Sequence, residues 1–149
     1  MNKKNKIILI SCVAKKLSYK AEAYKLYSPS TLFKAHWNYA IKCLKGNPHK
    51  NIFILSALHG FISPFEKIEP YNVTLKNMSK QDKKLWAKRV VNMMRQQHIN
   101  FKNSEFIILA GKDYYEELIP YLLNYKIIPE EPLPIGKRVQ WFNNQIKNC

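Results

Sequence analysis

Ser56, His59, Tyr71 and Asn72 are the residues whose types and spacing could do chemistry. They fall in one stretch that starts as an apolar run, Ile54-Leu55, breaks at Ser56-Ala57-Leu58-His59-Gly60, and continues through Pro64 to Pro70-Tyr71-Asn72-Val73-Thr74-Leu75. An imidazole with an ordinary pKa near ~6.5 gives or takes a proton at neutral pH, so His59 is a candidate acid or base; the other reading is a histidine hydrogen-bonded to backbone beside a turn. Ser56 either binds a phosphate or base edge or caps the turn. Asn72 has the paired donor and acceptor that read a nucleobase edge, and Tyr71 beside it can stack on a base or hydrogen-bond a phosphate; alternatively Asn72 makes a turn after Pro70.

Three short apolar runs of strand length must position these groups: Ile7 to Ser11, Ile52 to Ala57 and Phe106 to Ala110. Each is apolar on both alternating faces and ends at a turn signal, as strands buried between helical layers are. Helical patterns lie between them. One begins near Ser30-Thr31 and closes at Gly46, and a second opens with Ser79-Lys80-Gln81-Asp82 and reaches about His98. A third follows Gly111 through Leu122, and a fourth runs from Val139 to about Ile146. Strand and helix alternation over residues 1–149 predicts a single three-layer α/β/α domain with a short, mainly parallel central sheet.

In such sheets ligands sit beyond the carboxyl ends of the strands. Those ends would bring Ser11-Cys12 with Lys15 and Lys16, Ser56 with His59 and Gly60, and Gly111-Lys112 with Tyr114 onto one cleft floor. Cys12 is either a nucleophile whose thiolate Lys15 and Lys16 favour or a small buried residue at a strand end. No GxGxxG or GxxxxGK[ST] occurs, which disfavours a dinucleotide or a triphosphate held in a P-loop, and no cofactor is implied. The histidines His36, His49, His59 and His98 are scattered and no acidic pair is available, so no metal site is expected.

The chain carries 25 Lys and Arg against 10 Asp and Glu, a formal net charge of +15. Nucleic acid is the partner this balance suggests, DNA ahead of RNA, with Arg138 among the cations that would meet phosphates and a steep loss of binding in salt. A Lys-, Ile- and Asn-rich coding bias is the competing source of the lysines, although it does not account for the scarcity of acids. Cys12, Cys43 and Cys149 are odd in number and form no CxxC pair, which argues against a zinc ribbon, an iron–sulfur cluster or a disulfide framework. The apolar run after the basic start is too short for a signal peptide, and no window approaches the roughly 20 apolar residues of a membrane span. A cytoplasmic location and no membrane association are the expectation.

Several motifs together resemble a known family. They are Ser11-Cys12 with Lys15-Lys16, Leu26-Tyr27-Ser28-Pro29-Ser30, Leu55-Ser56-Ala57 with His59-Gly60, Pro70-Tyr71 with Thr74-Leu75, Trp86-Ala87, Ala110-Gly111 with Tyr114, and Ile135-Gly136 through Trp141. The family consists of small bacterial and phage proteins of unknown function often labelled as related to the peroxide-stress protein YaaA. Its strand-end pattern also resembles the α/β domain of the uracil-DNA-glycosylase-like superfamily, including the domain of archaeosine synthase, chiefly over Ser56 to Thr74. The resemblance implies a nucleic-acid-facing cleft that accepts a nucleotide and hydrolyses an N-glycosidic bond, with Asn72, His59 and Tyr71 at the chemistry. The alternatives are a non-catalytic DNA- or RNA-binding protein and an enzyme acting on free nucleosides or nucleotides. The family usually has Asp after the tyrosine. Asn72 stands there in this chain, and an amide orients water but does not act as a base at neutral pH.

Overall fold

The structure, a computed structural model, describes residues 4–149; Met1-Asn2-Lys3 of the basic start lie outside the described residues. In chain order the elements are β1 (Asn5–Ser11), β2 (Ala21–Glu22), α1 (Ala23–Leu26), α2 (Thr31–Lys42), β3 (Ile52–Ser56), β4 (Gly60–Ile62), β5 (Lys67–Ile68), α3 (Lys80–Gln96), β6 (Ser104–Leu109), α4 (Lys112–Tyr115), β7 (Tyr125–Ile127) and α5 (Ile135–Lys147). The three expected strands form the centre of a five-stranded sheet in the order β4-β3-β1-β6-β7. β1 pairs in parallel with β3 and β6, so that Ile10 lies between Ile54 and Leu109. β7 extends the sheet in parallel, and β4 folds back antiparallel on β3. β2 and β5 make a separate two-stranded ribbon.

The predicted three-layer, mainly parallel architecture is the one observed. Ile8, Leu9 and Ile10 of β1 are wholly buried, so both faces of the central strand are covered, as the uninterrupted apolar run requires. α2 and α5 pack side by side in the same direction. His36 meets Phe142 edge-on at 4.8 Å and Tyr39 meets Phe142 at 5.1 Å, while Cys43 lies at the same end as Cys149. α3 packs on β4 through Val90 and Met93.

The helix starts fall where the capping residues put them. Ser30 Oγ accepts from the Phe33 amide at 3.1 Å and Ser79 Oγ from the Asp82 amide at 3.1 Å. Other boundaries differ from expectation. α2 stops at Lys42, and the left-handed residue after it is Lys45, at φ 56°. Gly46 serves close packing instead, since a Cβ there would come within 2.7 Å of Ile8 Cδ1 and 2.8 Å of Ile52 Cδ1. The expected third helix is broken: α4 covers four residues, and a 3₁₀ turn at Ile119–Tyr121 follows, where Pro120 supplies no amide hydrogen to continue an α-helix. α5 begins at Ile135, a turn earlier than Val139, with Pro134 as its N-cap.

The cysteines also depart from the expectation that no disulfide forms. Cys43 and Cys149, 106 residues apart in sequence with Cα atoms 5.3 Å apart, are joined, and Cys12 is free and buried. Such a pair arises from the parallel packing of α2 and α5, which no spacing rule encodes. No helix among the described residues is long and apolar enough to cross a membrane.

Gly60 was a candidate ligand contact because it follows His59. The structure gives it a backbone role: it is buried, sits at φ +80° in the turn from β3 into β4, and faces Met93 Sδ at 2.7 Å from where a Cβ would be. A side chain there meets both left-handed strain and a collision. Gly60→Ala is expected to lower unfolding free energy by about 2 kcal/mol or more, measured by urea denaturation, while Gly111→Ala, whose Cβ would meet nothing within 4 Å, leaves it nearly unchanged.

Candidate functional site

The carboxyl ends of β1, β3 and β6 are tied together through Cys12. Its amide donates to Leu55 O at 2.8 Å, the Ala57 amide donates to Cys12 Sγ at 3.3 Å, and Cys12 Sγ shares a hydrogen bond with Tyr114 Oη at 3.1 Å. Above this junction opens a cleft of about 490 Å³ whose walls include Cys12, Lys15, Thr74, Gly111, Tyr114 and Arg138. Ser11 completes the floor, and Lys76 faces the same space. Asp113 is the one carboxylate in the described wall, and Lys83 Nζ holds it at 2.7 Å. The cleft therefore has cations to offer and no free acid.

Behind the floor runs a chain of hydroxyls. The His59 amide donates to Ser56 Oγ at 2.9 Å, Ser56 Oγ and Tyr71 Oη share a hydrogen bond at 2.8 Å, and Tyr71 Oη and Tyr27 Oη share another at 2.6 Å. The Trp86 indole N–H donates to Ser56 O at 2.9 Å. Lys16 Nζ stands 4.5 Å over the Tyr71 ring, and burial draws its ammonium pKa below the usual lysine range. Burial first, and the proximity of Cys12 second, push the hydroxyls of Tyr27, Tyr71 and Tyr114 well above the ordinary tyrosine range. All three stay protonated through neutral pH and can donate but not act as bases.

Arg138 is a buried cation, 7% exposed, in the first turn of α5. Its Nε–H donates to His36 Nε2 at 3.3 Å, and its Nη2 is buried without a hydrogen-bond partner among the described residues. His36 is wholly buried, and burial, helped by the guanidinium charge, lowers its pKa to about 3. The ring is therefore neutral, which leaves Nε2 free to accept from Arg138.

Residues 7–144 match the family described as "Family of unknown function (DUF6884)". The chain belongs to that family. It is also 34% identical over 80 residues to a UPF0246 protein of Legionella pneumophila strain Corby, and 32% identical over 80 residues to the UPF0246 protein lpp1320 of strain Paris. Those matches cover half of this chain and 31% and 32% of the respective relatives, so the match spans about a third of the length of the curated relatives. They bear out the YaaA-like resemblance over that half. No solved structure matches.

In this DUF6884 member the structure gathers Ser11, Cys12, Lys15, Gly111 and Tyr114 around one cleft, as the strand-end reading expected, and adds Arg138, which the sequence offered only as a phosphate-facing helix cation. Lys112 lies outside that cleft, beside a smaller cavity of about 80 Å³ next to Arg138. Ser56 is wholly buried with its hydroxyl taken up by Tyr71 and the His59 amide, so it positions Tyr71 and does not itself reach a ligand. His59 packs its ring edge-on against Tyr71 at 5.5 Å, its Nε2 is buried without a partner, and the residue does not line the cleft. Asn72 is exposed, two residues before Thr74 of the wall. No reading of the sequence singled out His36 or Thr74 for the site or gave Tyr27 a role there. Tyr27 carried one available signal, its place in the Leu26-Tyr27-Ser28-Pro29 motif, but its partner Tyr71 is 44 positions away.

Two measurements probe this arrangement. Tyr71→Phe strands the buried Ser56 and Tyr27 hydroxyls and is expected to cost about 1–3 kcal/mol in denaturant unfolding. Acidification tests His36: the unfolded chain takes up its proton near pH 6.5 and the folded chain only near pH 3, so stability falls as pH drops through that window. The His36 share of the loss between pH 7 and pH 5 is about 2 kcal/mol, seen as a steeper fall in Tm for the natural protein than for His36→Gln.

Proposed function

We propose that the protein acts on nucleic acid, receiving one nucleotide in the cleft at the ends of β1 and β6 and hydrolysing its N-glycosidic bond. The observation that carries this reading is the wall itself: Lys15, Lys76 and Arg138 face a cavity of about 490 Å³ whose single described carboxylate is already paired with Lys83. That volume suits a ligand of nucleotide size, within the roughly 300–1,000 Å³ typical of small-ligand sites. The net charge of +15 would bring a polyanion to it from a distance.

In the reaction, water adds to C1′ of the sugar as the C1′–N bond breaks, and the proton released from water goes to the departing base. Tyr114, kept protonated at the cleft floor, supplies a hydrogen-bond donor for charge developing on that base. Asn72 would orient the water from the rim, and Lys16 with Lys15 would meet backbone phosphates. The choice of reaction class rests on the sequence resemblance of Ser56 to Thr74 to the uracil-DNA-glycosylase-like domain, which no matching structure accompanies. Tyr71 contributes through position, since its hydroxyl is engaged on both sides by Ser56 and Tyr27.

A second reading is favoured by one specific feature. The resemblance implies an Asp where this chain has Asn72, and the described cleft wall holds no free carboxylate to activate water. A cleft of that kind grips a nucleotide without reacting. Incubation with modified and unmodified DNA and RNA, followed by alkaline heating to reveal abasic sites, separates the two. Strand breaks that Tyr114→Phe lowers at least tenfold while binding persists are the expected result. Salt-sensitive binding with no base release from any substrate would leave only the gripping function, and base release from free nucleosides alone would move the activity to small molecules.

A further inference from the structure

Two helices of the fold start at the same cleft. α2 presents Ser30, Thr31 and Leu32 to it, and α5 presents Ile135 and Arg138. In a sheet of parallel strands the flanking helices run back against the strand direction, so their amino ends gather where the strands finish. Each amino end carries unsatisfied amides and about half a positive charge. Acidic side chains commonly neutralise such ends, yet neither first turn contains one. The two helices span 12 and 13 residues, long enough for this field to develop.

Arg138 gives independent support. A guanidinium nine-tenths removed from water normally faces a carboxylate, because an uncompensated buried charge is costly. The ion pairs among the described residues are Lys25–Glu22 and Lys83–Asp113, and Arg138 belongs to neither. What holds it is a neutral imidazole: its Nε–H is committed to His36, while Nη2 stays unpartnered. Fixing Nε in this way orients the planar group, as recognition of an anion by a guanidinium requires. The acceptor is supplied by α2 and the donor by α5, so the pair also fixes the spacing of the two helix starts.

We propose that the starts of α2 and α5, with Arg138 held by His36, form a receptor for the phosphate group of a phosphate ester. Its terminal oxygens would receive the Thr31 and Leu32 amides and the free edge of the guanidinium, and the anion would supply the counter-charge that Arg138 lacks. This receptor stands on its own geometry and does not require the ligand to be a nucleic acid or the cleft to cleave anything.

Calorimetric titration of the full chain at low ionic strength tests it with inorganic phosphate, adenosine 5′-monophosphate, adenosine and a short single-stranded oligonucleotide. Phosphate and the monophosphate should bind, and adenosine at least tenfold more weakly than its monophosphate. Arg138→Gln should weaken phosphate at least tenfold, while Lys147→Gln, which removes one charge from the far end of α5, should change it less than twofold. Equal losses in the two variants would reduce the effect to net charge and overturn the proposal. Should Arg138→Gln fail to fold, the amide resonances of Thr31 and Leu32 and the Arg138 Nε–H of the natural protein are followed by NMR during phosphate titration. Their failure to shift would overturn it as well. Tighter binding of the oligonucleotide than of the monophosphate identifies a phosphodiester source; phosphate binding without oligonucleotide binding supports this receptor and removes the nucleic-acid reading alone.

Discussion

The burial of β1 on both faces is the constraint from which the rest of the molecule follows. Ile8, Leu9 and Ile10 have no contact with solvent, which requires a neighbouring strand on each side and helices above and below. A parallel partner on either side demands crossover connections, and those connections are the helices that cover the sheet. Parallel strands then finish together. Polar residues that interrupt the apolar runs, Ser11-Cys12 on one strand and Ser56 on the next, are consequently delivered to one edge. The cleft is a by-product of how this core is closed.

At that edge the protein has placed groups that hold protons firmly and charges that lack counter-ions. Three tyrosine hydroxyls are raised by burial, one lysine ammonium is drawn down by it, and one guanidinium is kept buried against a neutral ring. Burial keeps the tyrosines as donors, while at Lys16 it works the other way and disfavours the ammonium. The cleft is lined by cations and hydrogen-bond donors, and its described wall holds no free carboxylate. Membership of DUF6884 gives the architecture relatives without assigning it a reaction.

The Ser56 to Leu75 segment shows how the pieces depend on one another. Ser56 ends β3 and caps the turn with its hydroxyl, Gly60 turns the chain with a positive φ, and the prolines carry it round to Tyr71, which returns to bond Ser56. This loop closes on itself through one hydroxyl pair and is locked to α1's end by Tyr27. The polar residues that suggest chemistry in sequence are thus divided, with Ser56 buried in the scaffold and Asn72 exposed outside the cleft lining.

What the sequence determined by itself is what local periodicity and charge encode. Three doubly buried runs, serine caps at Ser30 and Ser79, the α/β class, the basic surface and the meeting of Cys12, Gly111 and Tyr114 at the strand ends all follow from patterns a few residues long. What only the tertiary structure decided involves partners remote in sequence. The His36–Arg138 contact and the Cys43–Cys149 bond arise from the parallel seating of α2 on α5, and Tyr27 finds Tyr71 only after the loop has closed. The physical reason is that burial sets whether a polar side chain is a ligand contact, a strut or a displaced proton site. Burial belongs to the packed whole, so Ser56, His59 and Arg138 acquire their roles only there.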